Sequence, residues 1–232
     1  MARFVLLHSP LLGPLSWRGV AELLGAAGHE TATPELPRLV DLDGDYYATL
    51  ADAAAKGAAG VAEDAILVAH SGAGALVPAV SERLGDNVAG AIFVDAILPH
   101  PGRSWFDTAP AEMRQNLRAG AQAGLLPAWH DWWPPGALER LLPDDALRAA
   151  LVDELGPIPT AYFEEPAPDD ALAIPAAYLK LSDSYEDEAR LANRQGWPLV
   201  RLPLSHLAPI SHPDAVALAL QGLAERLATQ GS

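Results

Sequence analysis

The chain has 232 residues, half of them hydrophobic, which suits one globular domain with a sizeable core. It contains no cysteine, and this excludes disulfides, thiolate metal sites and a cysteine nucleophile. The net charge is -15 with two lysines, Lys56 and Lys180, so the field repels phosphate backbones and anionic membranes, and neither nucleic acid nor membrane is expected as a partner.

Arg3 opens an apolar run through Leu15, but His8, Pro10 and Pro14 break it, and no small-residue cleavage site follows. The run therefore reads as a buried strand at 4–8 and a loop, and the expected location is cytoplasmic. A helix at 17–27 ends near Gly28, a short strand at 30–33 precedes the Pro34/Pro37 turn, and a helix follows at 46–59. Strands at 65–69 and 88–94 flank a helix at 72–84. Strands at 176–181 and 198–202 alternate with helices at 185–195 and 213–229. Near-continuous apolar strands between helices predict an α/β fold with a mostly parallel sheet of about six strands, covered on both faces.

Residues 98–173 break this alternation. They are rich in proline and aromatic residues and have no convincing buried strand, while helices are expected at 110–119 and 143–154. An aromatic insertion of this length between core strands predicts a helical cap over the edge of the sheet where open α/β sheets bind ligands. The expected organisation is a core of 1–97 and 174–232 with a cap of 98–173. Trp105, Trp129, Trp132 and Trp133 should pack this cap, and part of their surface is expected to line an apolar substrate pocket. Glu164 and Glu165, before Pro166, read as a loop or cap feature from which one carboxylate could face the site.

The strongest local signal is Ile66-Leu67-Val68-Ala69-His70-Ser71-Gly72-Ala73-Gly74, an apolar strand running into a small-residue turn and then a helix. A serine held in a strained turn needs small neighbours two before and two after it, and here both are alanine. The following helix aims its N-terminus at the site, so the Gly72 N–H could hold an oxyanion. The plainer alternative is a packing turn with an incidental serine. His206, on the loop after the last strand, is placed to accept a proton from Ser71, whereas His212, just before Pro213, reads as part of a helix start.

Taken in order, His8-Ser9-Pro10-Leu11-Leu12-Gly13…Trp17, Ala69-His70-Ser71-Gly72-Ala73-Gly74, Val94-Asp95-Ala96…Leu98-Pro99 and Ser205-His206…His212-Pro213 resemble the α/β-hydrolase superfamily. The nearest likeness is to small cap-bearing esterases and to the plant methylesterase and hydroxynitrile lyase branch. That resemblance implies Ser71 as nucleophile and His206 as base. It places the acid after strand 176–181, where Asp183 lies, or at the end of the preceding strand, where Asp95 lies. Asp95 is favoured, because a carboxylate ending an apolar strand needs a partner. The family's second oxyanion N–H falls at Pro10, which has none, so Ser9 or Leu11 must supply it or the hole is one donor short.

Three functions follow. The first is a serine hydrolase acting on an ester, thioester or related acyl bond of a small apolar molecule. The second is a lyase or other enzyme of specialised metabolism using the serine–histidine pair for acid–base work. The third is a non-catalytic ligand-binding protein. No phosphate loop, dinucleotide fingerprint or metal-ligand spacing is present, so no cofactor and no metal are expected. The partner is a small-molecule substrate, and a homodimer stays open.

Overall fold

Each strand of the main sheet sends alternate side chains to opposite faces, and both faces are covered. The computed structural model describes residues 1–61 and 63–230. Among them are eight strands: β1 (Arg3–Leu7), β2 (Glu30–Ala32), β3 (Ala65–His70), β4 (Val88–Val94), β5 (Leu125–Leu126), β6 (Ile158–Pro159), β7 (Ala176–Lys180) and β8 (Leu199–Arg201). Six form one wholly parallel sheet in the order β2-β1-β3-β4-β7-β8, while β5 and β6 pair antiparallel on their own.

The helices are α1 (Leu15–Ala26), α2 (Tyr46–Ala58), α3 (Val77–Leu84), α4 (Trp105–Thr108), α5 (Ala111–Gly120), α6 (Ala137–Leu141), α7 (Asp145–Glu154), α8 (Thr160–Glu164), α9 (Glu186–Arg194), α10 (Ala208–Ser211) and α11 (Pro213–Gln230). On one face of the sheet Phe4, Leu6, Val68, Ile92 and Leu179 pack against Trp17, Val20 and Leu24 of α1 and Val216, Leu220 and Leu223 of α11. On the other, Val5, Leu7, Leu67, Phe93 and Tyr178 pack with α2, α3 and residues from the segment between β4 and β7. Each fully buried Leu, Val or Phe contributes about 1.5–3 kcal/mol, so these two layers hold the sheet.

Two helices begin differently from the sequence expectation. The segment after β3 starts as a 3₁₀ turn, Ser71–Leu76, before α3, and Asp183–Tyr185 forms a 3₁₀ turn before α9. Gly72 and Gly74 favour helix weakly, and Pro78 near the start of α3 suits a helix that begins late. The insertion between β4 and β7 carries five short helices, α4–α8, and the β5–β6 pair.

The insertion is fastened to the core in an unusual way. α1 and α2 have no capping side chain of their own. The Leu15 N–H donates to both carboxylate oxygens of Glu154, at the end of α7, at 3.2 and 3.1 Å. The Tyr46 and Tyr47 N–H groups donate to the two oxygens of Glu165, each at 2.9 Å. Two carboxylates from the insertion thus fill the positive ends of two core helices. Glu165 is committed there and not to the sheet edge, and Glu164 pairs with Arg118.

Candidate active site

Where β3 ends, Ser71 adopts a left-handed backbone with φ +57°, which a non-glycine residue holds only under constraint. Ala69 and Ala73, two before and two after, are both fully buried and leave room for it. Gly74 is the position that admits no side chain. A Cβ there would sit 1.9 Å from the Ile97 carbonyl oxygen, on the loop after β4. That close approach lets the Ile97 N–H donate to the Ser71 carbonyl at 3.1 Å, tying the two loops together.

The loop after β4 begins with Asp95, also left-handed at φ +43°, a conformation aspartate tolerates better than most residues. Its buried carboxylate lies across the end of the neighbouring strand β7. Oδ1 accepts from the Leu181 and Ser182 N–H groups at 2.9 and 3.0 Å, and Oδ2 accepts from the Ser182 hydroxyl at 2.6 Å. Oδ2 also meets His206 Nδ1 at 2.8 Å. Burial pushes this carboxyl's pKa upward, but the hydrogen bonds and charge of His206 and the bonds from Ser182 outweigh it, so the pKa lies below the usual value. An ionised Asp95 places the imidazole proton on Nδ1 and leaves Nε2 as the acceptor.

His206 is held from several sides. The Tyr185 ring stacks on it at 5.0 Å and 8°, the His70 ring packs at 4.6 Å and 31°, and Trp129 lies 6.2 Å away. His70 Nε2–H donates to the His206 carbonyl at 2.9 Å, fixing the loop that carries the base. Complete burial, joined by repulsion from His206, lowers the His70 pKa to about 3, so it stays neutral. The Ser71 hydroxyl meets the Tyr185 hydroxyl at 3.3 Å. Among the described residues Tyr185 is its hydrogen-bond partner.

The other expected residues are placed as follows. Asp183 is fully exposed, pairs with Lys180 at 2.9 Å and does not reach His206; its backbone turns outward in the 3₁₀ turn before α9. The carboxylate on His206 is Asp95. His212 bonds the Ser211 hydroxyl at the start of α11. In the loop after β1, Pro10 has no N–H, the Leu11 N–H donates to Ser9 Oγ at 3.2 Å, and the Leu12 N–H to the Ser9 carbonyl at 2.9 Å. The expected Leu11 donor is therefore engaged within its own turn. The Ser9 hydroxyl borders Gly72, 3.3 Å from where a Cβ would stand. Trp105 and Trp132 pack around Phe163, and Trp133 is partly exposed against Trp129. No cluster of three or more His, Asp or Glu side chains able to hold a metal ion occurs among the described residues.

Sequence reasoning missed Tyr185, Ser182 and His70. Tyr185 reads as the start of a helix, and nothing local marks its ring as a neighbour of His206. Ser182 is one residue from Asp183, which drew attention as the acid. The strand–turn motif pointed to Ser71 alone, though His70 precedes it.

A model of the alpha/beta hydrolase family matches residues 4–220. The chain is 32% identical over 182 residues to esterase PIR7B of Oryza sativa subsp. japonica, covering 73% of this chain and 63% of that one. It is 26% identical over 243 residues to a carbendazim hydrolyzing esterase of Nocardioides sp. (strain SG-4G), covering 96% of this chain and all of that one. Among solved structures, an extracellular alpha/beta-hydrolase from a Paenibacillus species aligns with a TM-score of 0.76 at 21% identity, over 95% of this chain and 98% of that one. A pyrethroid hydrolase from Sphingobium faniae JZ-2 aligns with a TM-score of 0.73 at 20% identity, over 97% of each chain. At these identities the structural likeness speaks to the fold. The chain belongs to the alpha/beta hydrolase family. No helix among the described residues is long and apolar enough to cross a membrane.

Proposed function

We propose that the protein is a serine esterase of small, largely apolar carboxylic esters, with residues 98–173 acting as a cap over the site. Ser71 Oγ attacks the ester carbonyl, and His206 Nε2 takes its proton and passes it to the departing alcohol. Asp95 fixes the imidazole tautomer and balances the charge that forms on it. The Gly72 N–H, in the 3₁₀ turn that leads into α3, faces the developing oxyanion. Water then attacks the acyl-enzyme with His206 as base, and the acid is released. Trp129 supplies apolar surface beside His206.

The observation that carries this reading is the convergence of a left-handed strand-end serine with a part-buried His206 paired to a buried Asp95, bridged by one tyrosine. Names among the relatives support it: they include an esterase, a carbendazim hydrolyzing esterase and a methyl jasmonate esterase. A fluorophosphonate should label the wild type and not Ser71→Ala, and p-nitrophenyl acetate hydrolysis should vanish with the label. An unlabelled wild type, beside a control esterase that reacts, would sink the proposal.

One observation favours a second reading, acid–base chemistry of the lyase kind. The loop after β1 offers no free N–H at Pro10 and a committed one at Leu11. Turnover of a cyanohydrin or β-hydroxycarbonyl compound, with none of p-nitrophenyl esters, would select it.

A further inference from the structure

Tyr185 is the side chain nearest the reacting oxygen that the proposed mechanism leaves without work. Its hydroxyl lies 3.3 Å from Ser71 Oγ. Its ring lies flat on the His206 imidazole, 5.0 Å between centroids with an 8° tilt, and this stack fixes where the hydroxyl can be. Among the described residues the Tyr185 hydroxyl's hydrogen-bond partner is Ser71 Oγ, and because the proposed mechanism sends the serine proton to His206 Nε2, Tyr185 takes the donor role in this contact. Burial raises the phenol pKa, which keeps the group a donor at working pH.

Resting on the serine-esterase reading, we infer that the Tyr185 hydroxyl is a catalytic hydrogen-bond donor to Ser71 Oγ, and that its contribution falls on breakdown of the acyl-enzyme. The asymmetry comes from what Oγ is at each stage. In the free enzyme Oγ is a hydroxyl oxygen that already accepts from Tyr185. That bond is already made to a good acceptor in the ground state for acylation, so it strengthens less as Oγ attacks than it does when starting from the ester oxygen of the acyl-enzyme. In the acyl-enzyme Oγ is the bridging oxygen of an ester, a weak acceptor. When water attacks, its proton passes to His206 Nε2, and the carbon–Oγ bond then breaks. The electron pair goes to Oγ, which recovers a proton from His206. Charge grows on Oγ along that path, and the Tyr185 bond strengthens with it. The phenol proton stays on Tyr185 throughout.

The test is Tyr185→Phe, which keeps the ring and its stack, followed by pre-steady-state hydrolysis of p-nitrophenyl acetate and acid-quenched intact mass. A donor to a developing charge should be worth about tenfold or more in deacylation. The expected result is a kcat lowered by that factor and a KM lowered in parallel. The specificity constant kcat/KM, which acylation governs, should fall much less than kcat. A burst near one p-nitrophenolate per enzyme and an accumulated acetyl-Ser71 should accompany the change, with an unchanged melting temperature. The inference is overturned if kcat does not fall, or if kcat/KM falls as far as kcat and no acetyl-enzyme accumulates. A wild type that never forms acetyl-Ser71 would overturn the esterase reading instead, so the two failures are distinguishable.

Discussion

Asp95 and Asp183 leave the same edge of the sheet, one from the end of β4 and the other just beyond its neighbour β7. Asp95 turns left-handed, lies across the end of β7 and collects two backbone N–H groups, a hydroxyl and an imidazole. Asp183 stands one residue beyond that same serine and finds only a lysine in solvent. Both are aspartates after apolar strands. What separates them is the path of the backbone over a single turn, which decides whether the carboxylate meets donors or water.

The largest expected effect is a direct break of that contrast. Asp95→Asn should lower kcat about 10³–10⁴-fold, because the imidazole loses the acceptor that fixes its tautomer. Ser182→Ala should sharpen it: removing the hydroxyl on Asp95 should lower kcat about tenfold and lower the melting temperature, as loss of a hydrogen bond to a buried charge does. A third test probes the wall behind His206. His70 is neutral in the fold down to about pH 3 but takes a proton near 6.5 when unfolded. Its stabilising contribution is therefore complete above pH 6.5 and shrinks as pH falls toward 3. His70→Gln should flatten the urea midpoint against pH across that window, and an unaltered slope would contradict the assignment. The smallest effect belongs to Asp183→Asn, for which turnover should stay within about twofold, since an exposed pair with Lys180 contributes little.

The fold and part of the candidate site were legible because they rest on local pattern. An apolar strand entering a run of small residues names Ser71, and the alternation of strands and helices gives a parallel sheet. The strain at Ser71 follows from its neighbours in the chain. Ser182, Tyr185 and His70 act through space: each reaches Asp95, Ser71 or His206 from another element, across separations in sequence of 87, 114 and 136 residues. Nothing in their own neighbourhoods encodes the meeting. The N–H donors of the loop after β1 were hidden for a different reason. Whether Leu11 is free depends on how Ser9 folds back on its own turn, a matter of side-chain rotamer.

Glu154 and Glu165 carry a consequence for how this molecule can change over evolutionary time. Each fastens the insertion to the core by placing a charge against backbone N–H groups at a helix start, a recognition indifferent to the identity of the core side chains there. A joint of that kind behaves like a standard fitting. The side chains inside the insertion can change while two carboxylates keep it seated on the helices beneath it.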